Sequence, residues 1–363
     1  MTKREIVQME IKRVEKKIRD TPYHKGTEHH IGKLRAKLSK LRDALYEKSS
    51  SGGGGGGFAV KKHGDATVGL IGPPSVGKSS LINALCNTTS PVGSYDFTTT
   101  RVIPGMLSLN GAKIQFFDLP GLIEKGYLGK GGGRQILAAA RAVDLLLLIA
   151  DKEHLSALLD LEEELKMAGF RLNKAKPKIE IKKTTKGGIK VFGSSGFGRE
   201  TIKEVVLELE YKNAEITFNE YMSDLSLLID SLVQTRIYLP AIRVVNKSDL
   251  LTEEEKVNLE KKLGAIWISV KNNSGLNELK DAIWRKLNLI RVYLKKKEKA
   301  EAEKDPLILP AESKIKDLIL AVNSEWAGKI NSALIWGQKV KYPGQKVSLL
   351  YELSDEDIIY LIK

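Results

Sequence analysis

The chain has 363 residues, 42% of them hydrophobic, and carries a formal net charge of +14. This length allows two or three domains with sizeable cores, whereas a membrane protein is disfavoured because no apolar run approaches the roughly 20 residues of a bilayer-spanning helix. The positive charge favours an anionic partner, with RNA as the obvious class, and the single cysteine, Cys86, excludes an internal disulfide. We therefore expect a cytoplasmic protein in which Cys86 is a small core residue.

The N-terminal region predicts a basic helical hairpin. Apolar residues recur at helical spacing over 2–20 and 31–45, with Pro22 between the two segments. Residues 1–49 hold 14 Lys or Arg against 7 Asp or Glu, which is half of the excess positive charge of the chain. The hairpin could bind RNA or could present a solvated charged face. The following run, SSSGGGGGG, could be a flexible linker or backbone that another element approaches closely.

The segment ATVGLIGPPSVGKSSLINAL, residues 66–85, predicts a strand, a phosphate-binding loop and a helix. Its centre matches G-x-x-x-x-G-K-S, with Gly72 and Gly77 as the fixed glycines, Lys78 as the phosphate lysine and Ser79 as a hydroxyl ligand for Mg²⁺. Glycine is needed because backbone N–H groups can surround a phosphate only where no Cβ obstructs the turn. The predicted nucleotide contacts of this loop are Gly72, Pro73, Pro74, Ser75, Val76, Gly77, Lys78, Ser79 and Ser80.

A second phosphate-side element follows at the end of the strand-like segment KIQFFDLPG. Its D-x-x-G pattern places Asp118 where a carboxylate can hold a water on Mg²⁺, and Gly121 where an N–H can contact a γ-phosphate. The pattern alone is a weak signal. Here it lies 39 residues after Ser79, with the threonine-rich loop SYDFTTTRVIPG between them, and the combination predicts a site for a nucleoside triphosphate and Mg²⁺.

The nucleotide base should be read by VVNKSD, residues 244–249, where the apolar strand AIRVV runs into Asn246. A carboxylate at Asp249 can accept both the N1–H and the N2–H of guanine, whereas adenine presents an acceptor there, so the motif favours GTP over ATP. Asn246 would support the site, and the stem of Lys247 would cover the ring face. The predicted base contacts are Asn246, Lys247 and Asp249, with Ser269 and Val270 in a further loop that ends the strand-like IWISV.

Two regions outside these motifs must fold by themselves. About ninety residues separate the strand ending at Asp151 from the strand starting at Ala241, far more than the roughly 4 to 6 residues of an ordinary connection. Their pattern predicts a small α+β insert. The charged stretch RVYLKKKEKAEAEK, residues 291–304, reads as a connector, and Pro306 opens a compact β-rich terminal unit that suits a binding module.

With these motifs in place, the chain resembles the developmentally regulated GTP-binding protein (Drg) subfamily of the Obg-like GTPases. The resemblance is nearly full length and rests on KLRAKLSKLR before the polyglycine run, GPPSVGKSSLINAL, YDFTTTRVIPG, GAKIQFFDLPGLIE, GKGGGRQILAAAR, GFRLNK, NKSD and ALIWGQKVK. It implies a translation-associated GTPase with an RNA-linked TGS domain that works with ribosomes and partner proteins. It also implies Thr99 as the Mg²⁺-binding threonine, although the sequence alone would allow Thr98 or Thr100. The departures from the family pattern are small: GGGRQ is looser than its Gly/Arg run, and SVK replaces the commoner Ser-Ala or Ser-Cys.

The predicted fold is α/β: a P-loop GTPase domain with an N-terminal helical hairpin, an inserted α+β ribosomal-protein-like domain and a C-terminal β-grasp (TGS) domain. The predicted boundaries are 1–57 for the hairpin and glycine-rich linker, 58–168 and 239–290 for the GTPase domain, 169–238 for the insert and 291–363 for the TGS domain.

The predicted function is Mg²⁺-dependent hydrolysis of GTP to GDP and phosphate by a ribosome-associated switch. Lys78, Thr99 and Gly121 are the predicted catalytic residues, Ser79, Thr99 and Asp118 are the predicted metal site, and K⁺ is a further candidate cofactor. The expected partners are the ribosome, rRNA or tRNA and a Drg-family regulatory protein. The protein is expected to be a monomer and not to associate with a membrane. The rival function is a ribosome- or RNA-binding protein whose GTP site is a conformational latch with negligible turnover; an ATPase is disfavoured by Asp249.

Overall fold

The structure is a computed structural model that describes residues 3–47, 63–86, 95–97, 100–102, 104–119, 139–233 and 235–362. The chain divides into two compact units. The first contains Met1–Gly57, Tyr127–Leu137 and Glu162–Leu239, and the second contains Phe58–Gly126, Ala138–Leu161 and Pro240–Lys363. Within the described ranges, none of the helices combines the length and the apolar composition that a bilayer crossing requires.

The helices and strands of the described ranges are as follows. The helices are α1 (Lys3–Asp20), α2 (Glu28–Glu47), α3 (Lys78–Leu85), α4 (Ser156–Met167), α5 (Arg199–Glu208), α6 (Leu225–Leu232), α7 (Glu253–Leu263), α8 (Leu276–Leu287) and α9 (Ile315–Val322). The strands are β1 (Ala66–Ile71), β2 (Tyr95–Phe97), β3 (Thr100–Val102), β4 (Pro104–Leu109), β5 (Ala112–Asp118), β6 (Leu145–Ala150), β7 (Phe170–Leu172), β8 (Ile179–Lys183), β9 (Ile189–Phe192), β10 (Ala214–Phe218), β11 (Ile237–Leu239), β12 (Ala241–Val245), β13 (Ile266–Trp267), β14 (Leu289–Leu294), β15 (Leu307–Pro310), β16 (Ser332–Trp336), β17 (Gln345–Val347) and β18 (Asp357–Ile362).

The first unit joins the predicted hairpin to the predicted insert. The helices α1 and α2 confirm the hairpin, and the insert forms a three-stranded sheet in the order β8-β10-β9 beside a two-stranded pair, β7 with β11. The α2 helix packs on α5 and α6, and Ala36 of α2 belongs to the same buried apolar cluster as Val205 and Leu228 of the insert. A Cβ at Gly32 would lie 3.0 Å from Leu225 and Val205 side chains, so α2 approaches the insert closely at this position.

The second unit is built on a six-stranded sheet in the order β13-β12-β6-β1-β5-β4. Five of these strands are parallel and β4 joins β5 in antiparallel orientation. The strands β1 and β6 are buried along their whole length, as expected for parallel strands covered on both faces. The predicted P-loop α/β fold is confirmed, and the carboxyl ends of β1, β5, β6 and β12 meet at one edge, where ligands of such sheets bind. The strand predicted at 266–270 ends at Trp267, and the loop begins there.

The terminal domain in the same unit is a five-stranded sheet, β15-β14-β18-β16-β17, with α9 in its apolar core. One prediction here is wrong: RVYL is not part of a connector but lies in β14, which pairs with β15 and with β18. Ile290 and Val292 point into the core, while Arg291 between them is held by Asp355 at 2.6 Å. The alternation is that of a strand with one buried face, and the lysines that follow it in the sequence obscured this pattern.

Cys86 lies at the end of α3 and is a core residue, as predicted. It is 3% exposed and packs in the apolar cluster of the second unit. Burial raises the pKa of its thiol to about 12, which keeps the thiol protonated at neutral pH and excludes it as a nucleophile.

Candidate nucleotide-binding site

The phosphate loop connects β1 to α3, and its two fixed glycines are required by contacts as well as by backbone conformation. A Cβ at Gly72 would lie 2.1 Å from the carbonyl oxygen of Ile149. At Gly77, where φ is +93°, a Cβ would lie 2.4 Å from Nδ2 of Asn246. Side chains cannot occupy these positions, so the loop backbone lies against the ends of β6 and β12 and leaves its N–H groups at the start of α3.

The other predicted loop residues divide into buried and exposed positions. Pro73 and Val76 are buried, whereas Pro74, Ser75, Ser79 and Ser80 are exposed and Lys78 is half-buried. The Nζ of Lys78 donates to the carbonyl oxygens of Gly72 at 3.0 Å and Pro73 at 2.8 Å. Burial lowers the pKa of Lys78, and the nearby Asp118 carboxylate opposes that shift. The ammonium therefore lies inside the curve of the loop.

Ser79 and Asp118 form the pair that would hold Mg²⁺. The Oγ of Ser79 donates to Oδ2 of Asp118 at 2.7 Å, which brings the first turn of α3 to the end of β5. The other carboxylate oxygen of Asp118, Oδ1, is buried and has no hydrogen-bond partner within the described residues. A buried carboxylate oxygen without a donor is costly, and a divalent cation with its water shell would satisfy it. The residues present therefore fit Mg²⁺, which prefers one or two carboxylates or hydroxyls together with phosphate oxygens.

Two predicted site residues, Thr99 and Gly121, lie outside the described residues, as does the glycine-rich segment after the D-x-x-G motif. Their roles stay predictions.

Asn246 connects three segments of the site. It is 3% exposed, its Nδ2 donates to the carbonyl of Val76 in the phosphate loop at 2.9 Å, and its Oδ1 accepts from the N–H of Val270 at 3.2 Å. With both ends of its amide bonded to backbone, Asn246 fixes the phosphate loop relative to the loop after β13. Within the described contacts, Asn246 and Val270 therefore act as supports.

Asp249 is the exposed carboxylate at the end of the base-reading segment. Its Oδ1 accepts from the hydroxyl of Ser269 at 2.5 Å, and the same Ser269 oxygen accepts from the N–H of Asn272 at 3.2 Å. The hydrogen bond from Ser269 is the main cause of a lowered pKa at Asp249, with smaller opposition from burial. The carboxylate is thus ionised at neutral pH and can accept two hydrogen bonds from a base. The structure brings the predicted residue Ser269 to the site, 1% exposed, where it orients Asp249.

Comparisons with known proteins agree with this geometry. Residues 67–183 match the family described as a 50S ribosome-binding GTPase, residues 186–289 match the C-terminal region of that domain, and residues 290–363 match the TGS domain. An uncharacterised GTP-binding protein of Methanocaldococcus jannaschii is 40% identical over 98% of this chain and 93% of its own length. Human developmentally-regulated GTP-binding protein 2 is 39% identical over 97% of this chain and 98% of its own length.

A third relative, ribosome-interacting GTPase 1 of Saccharomyces cerevisiae, is also 39% identical over 97% of this chain and 98% of its own length. The chain belongs to the developmentally regulated GTP-binding protein (Drg) family. It is a GTP-binding protein with a GTPase-family domain and a TGS domain, so the resemblance that its motifs indicate is confirmed.

In this Drg chain the structure also shows two site residues that the motifs did not indicate. Asp151, directly after β6, is 3% exposed and accepts from Nζ of Lys247 at 2.7 Å through Oδ2 and from Nδ1 of His154 at 2.7 Å through Oδ1. Burial alone raises the pKa of Asp151, but the hydrogen bonds from Lys247 and His154 outweigh it and lower the pKa. The only sequence signal was an aspartate at the end of an apolar strand, which is too common to single out.

We expect Asp151→Asn to weaken guanine-nucleotide binding by roughly 10- to 100-fold. The neutral amide cannot hold the Lys247 ammonium, and the loss of one charge-assisted hydrogen bond costs roughly 1.5 to 3 kcal/mol. The measurement is the dissociation constant for fluorescent GDP. In a Lys247→Met background the Asp151→Asn change should have no further effect on affinity, because the ammonium that Asp151 holds is absent.

The control for Asp151 is Asp144→Asn, at the amino end of the same strand. Asp144 accepts from the N–H of Thr67 at 2.9 Å and from its hydroxyl at 2.8 Å. This change should lower the melting temperature without changing nucleotide affinity. An equal loss of affinity from Asp151→Asn with and without Lys247 would show that Asp151 acts on the fold only.

Proposed function

We propose that this Drg chain hydrolyses GTP to GDP and phosphate slowly, with Mg²⁺, and that the bound nucleotide governs its association with ribosomes or RNA. The observation that carries the proposal is the pair of carboxylates at one edge of one sheet. Within the described ranges, Asp118 has a buried oxygen that accepts no hydrogen bond, beside Ser79, and Asp249 is an ionised acceptor held by Ser269. The first suits a cation on a triphosphate and the second suits guanine.

The residues divide the chemical work between them. Lys78 lies within the phosphate loop and donates to loop carbonyls; with a nucleotide bound, it would donate to phosphate oxygens instead. Ser79 and Asp118, with Thr99 as a proposed third member, would hold Mg²⁺, which when bound neutralises the charge on the β- and γ-phosphates. The Gly121 N–H would contact the γ-phosphate, and Asn246 would keep the phosphate and base loops in register.

Slow intrinsic turnover follows from what the sequence places near the γ-phosphate. The residue after DLPG is Leu122, and a leucine cannot hydrogen-bond the attacking water as the glutamine of Ras-like enzymes does. The phosphate loop also carries Ser75 where potassium-activated relatives carry asparagine, so K⁺ would find less side-chain support. Loss of water positioning or of an arginine finger costs roughly 10³ to 10⁵ in rate, which leaves room for activation by a ribosome or a partner protein.

Association with ribosomes is supported by three further observations. The chain has a net charge of +14, its GTPase domain matches a family described as ribosome-binding, and a full-length relative in yeast is named a ribosome-interacting GTPase. An excess of Lys and Arg on the surface suits the phosphates of rRNA or tRNA. A conformational latch without turnover would bind ribosomes equally well, so the two candidates differ only in hydrolysis.

We expect basal phosphate release to change less than severalfold in Leu122→Ala, because a leucine side chain cannot position the attacking water. Thr99→Ala should abolish release by loosening Mg²⁺ and the γ-phosphate, and ribosomes should stimulate the wild type. The measurement is multiple-turnover phosphate release with and without ribosomes, in sodium and in potassium, beside nucleotide-dependent co-sedimentation. GTP-dependent co-sedimentation without any turnover would identify the latch, and fast turnover in sodium without a partner would refute the slow rate.

A further inference from the structure

The two helices of the N-terminal hairpin use their basic side chains differently. Four of the five Lys or Arg of α2 form ion pairs with described residues: Lys33 with Glu204, Lys37 with Glu10, Lys40 with Glu210, and Arg42 with Glu15. Two of these pairs join α2 to the insert and two join it to α1. These cations are already neutralised by carboxylates of the same unit, so they hold the hairpin in place.

The basic side chains in the second half of α1 show no such pairs within the part of the chain that the structure describes. Lys12, Arg13, Lys16, Lys17 and Arg19 are all exposed, and across the described ranges none of them forms an ion pair with a carboxylate. The two carboxylates in the middle of α1, Glu10 and Glu15, are taken by α2. The positive charge of the hairpin that remains to attract an outside partner is therefore concentrated on α1.

The helical spacing places part of this charge in a row. Lys12, Lys16 and Arg19 follow each other at i, i+4 and i+7 and therefore share one face of α1. At 1.5 Å per residue the row is about 10 Å long. We call these three residues the α1 stripe.

The α1 stripe stands on a fixed support. Lys37–Glu10 at 2.7 Å and Arg42–Glu15 at 2.8 Å set α1 against α2 around the buried Val14. The α2 helix is in turn tied to the insert by Asp43, which accepts from Arg236 at 2.7 Å, in a cluster where Asp230 also accepts from Arg236 at 3.0 Å. A preformed row of cations loses little conformational freedom when it binds.

We propose that the α1 stripe binds the phosphate backbone of RNA. This inference rests on the proposed association with ribosomes or RNA and names the surface that makes the contact. A polyanion that displaces counterions is the partner that a row of unpaired cations fits best. A lipid surface fits less well, because an interfacial helix needs a continuous exposed apolar face, whereas Val7, Ile11, Val14 and Ile18 are partly or fully buried and only Ile6 and Met9 are exposed large apolar residues of α1.

The test compares two triple variants of the full-length protein. K12Q/K16Q/R19Q removes the stripe. K166Q/K190Q/K203Q removes the same charge from lysines outside the hairpin that pair with Glu163, Glu215 and Glu200. The probes are a short synthetic RNA duplex, a single strand of equal length and purified ribosomes, each titrated over a range of salt concentrations. The slope of log K against log salt should become shallower by about two to three units in the stripe variant, since each phosphate contact contributes roughly 0.7 to 0.9.

The K166Q/K190Q/K203Q control should keep the wild-type slope, and both variants should keep their helix content and GDP affinity. An equal loss of slope in both variants would overturn the proposal, because it would reflect net charge alone. The stripe variant could also bind RNA like the wild type but no longer bind ribosomes. This result would assign the α1 stripe to an acidic ribosomal protein and would overturn the proposal. If the wild type binds neither RNA nor ribosomes, the proposed function itself fails; if it binds both and the stripe variant is unchanged, only the surface is wrong.

Discussion

Asp249→Asn should reverse the base preference of this protein from GTP to XTP. The carboxylate accepts two guanine donors, and each such hydrogen bond to a charged group contributes roughly 1.5 to 3 kcal/mol, so GTP affinity should fall by roughly 10² to 10⁴. The carboxamide can donate to the C2 carbonyl of xanthine, where a carboxylate would repel it. Competition binding of GTP, XTP and ATP against fluorescent GDP measures the change.

Ser269→Ala is the matched comparison for Asp249. It removes the hydroxyl that holds Oδ1 of Asp249 at 2.5 Å but leaves the carboxylate, so GTP affinity should fall only severalfold with the preference for guanine retained. An unchanged preference for GTP in Asp249→Asn would refute the base-reading role.

The lowered pKa of Asp249 also sets the direction of a pH effect. The ionised form of Asp249 is fully present above the ordinary carboxyl pKa of 3.8. Its contribution to guanine binding is lost only as the pH falls through the lower pKa that Asp249 has in the folded protein. The preference for guanine should therefore hold throughout the neutral range and weaken only in strong acid.

Lys78→Ala should nearly abolish GTP and GDP binding while the protein stays folded. The ammonium lies within the phosphate loop, where it donates to Gly72 and Pro73, and on triphosphate binding it would make charge-assisted bonds instead. Losing two such bonds corresponds to roughly 10² to 10⁴ in affinity. The melting temperature of the wild type should rise with added GDP, because ligand binding stabilises the folded state, and Lys78→Ala should show no rise.

Lys113→Ala is the control for Lys78. Lys113 is an exposed lysine near the amino end of β5, at the opposite end of the strand from Asp118. The Lys113→Ala change removes the same charge as Lys78→Ala, and the GDP-dependent rise in melting temperature should persist. A Lys78→Ala protein that is unfolded without nucleotide would identify Lys78 as a structural residue, and a normal rise with GDP would refute its phosphate role.

The features of this protein that can be predicted from its amino-acid sequence are those that neighbouring residues specify. A backbone turn, a helix start and a strand end are each specified by neighbouring residues. Contiguous motifs therefore revealed the phosphate loop, the D-x-x-G motif at Asp118 and the NKSD segment. The hairpin and most strands of the insert were likewise predicted from their periodicity. The strand β14 was missed, because its alternation spans only six residues before a run of lysines.

Contacts between residues far apart in the sequence are visible only once the chain is folded. Asn246 reaches Val76 across 170 positions, Lys247 reaches Asp151 across 96, and Arg236 reaches Asp43 across 193. No local period or motif marks such a pair, because each partner belongs to a different element and the contact exists only once both elements are packed. For the same reason, periodicity alone could not separate the ion-paired lysines of α2 from the exposed Lys12 and Lys16 of α1, for which the described residues provide no ion pair.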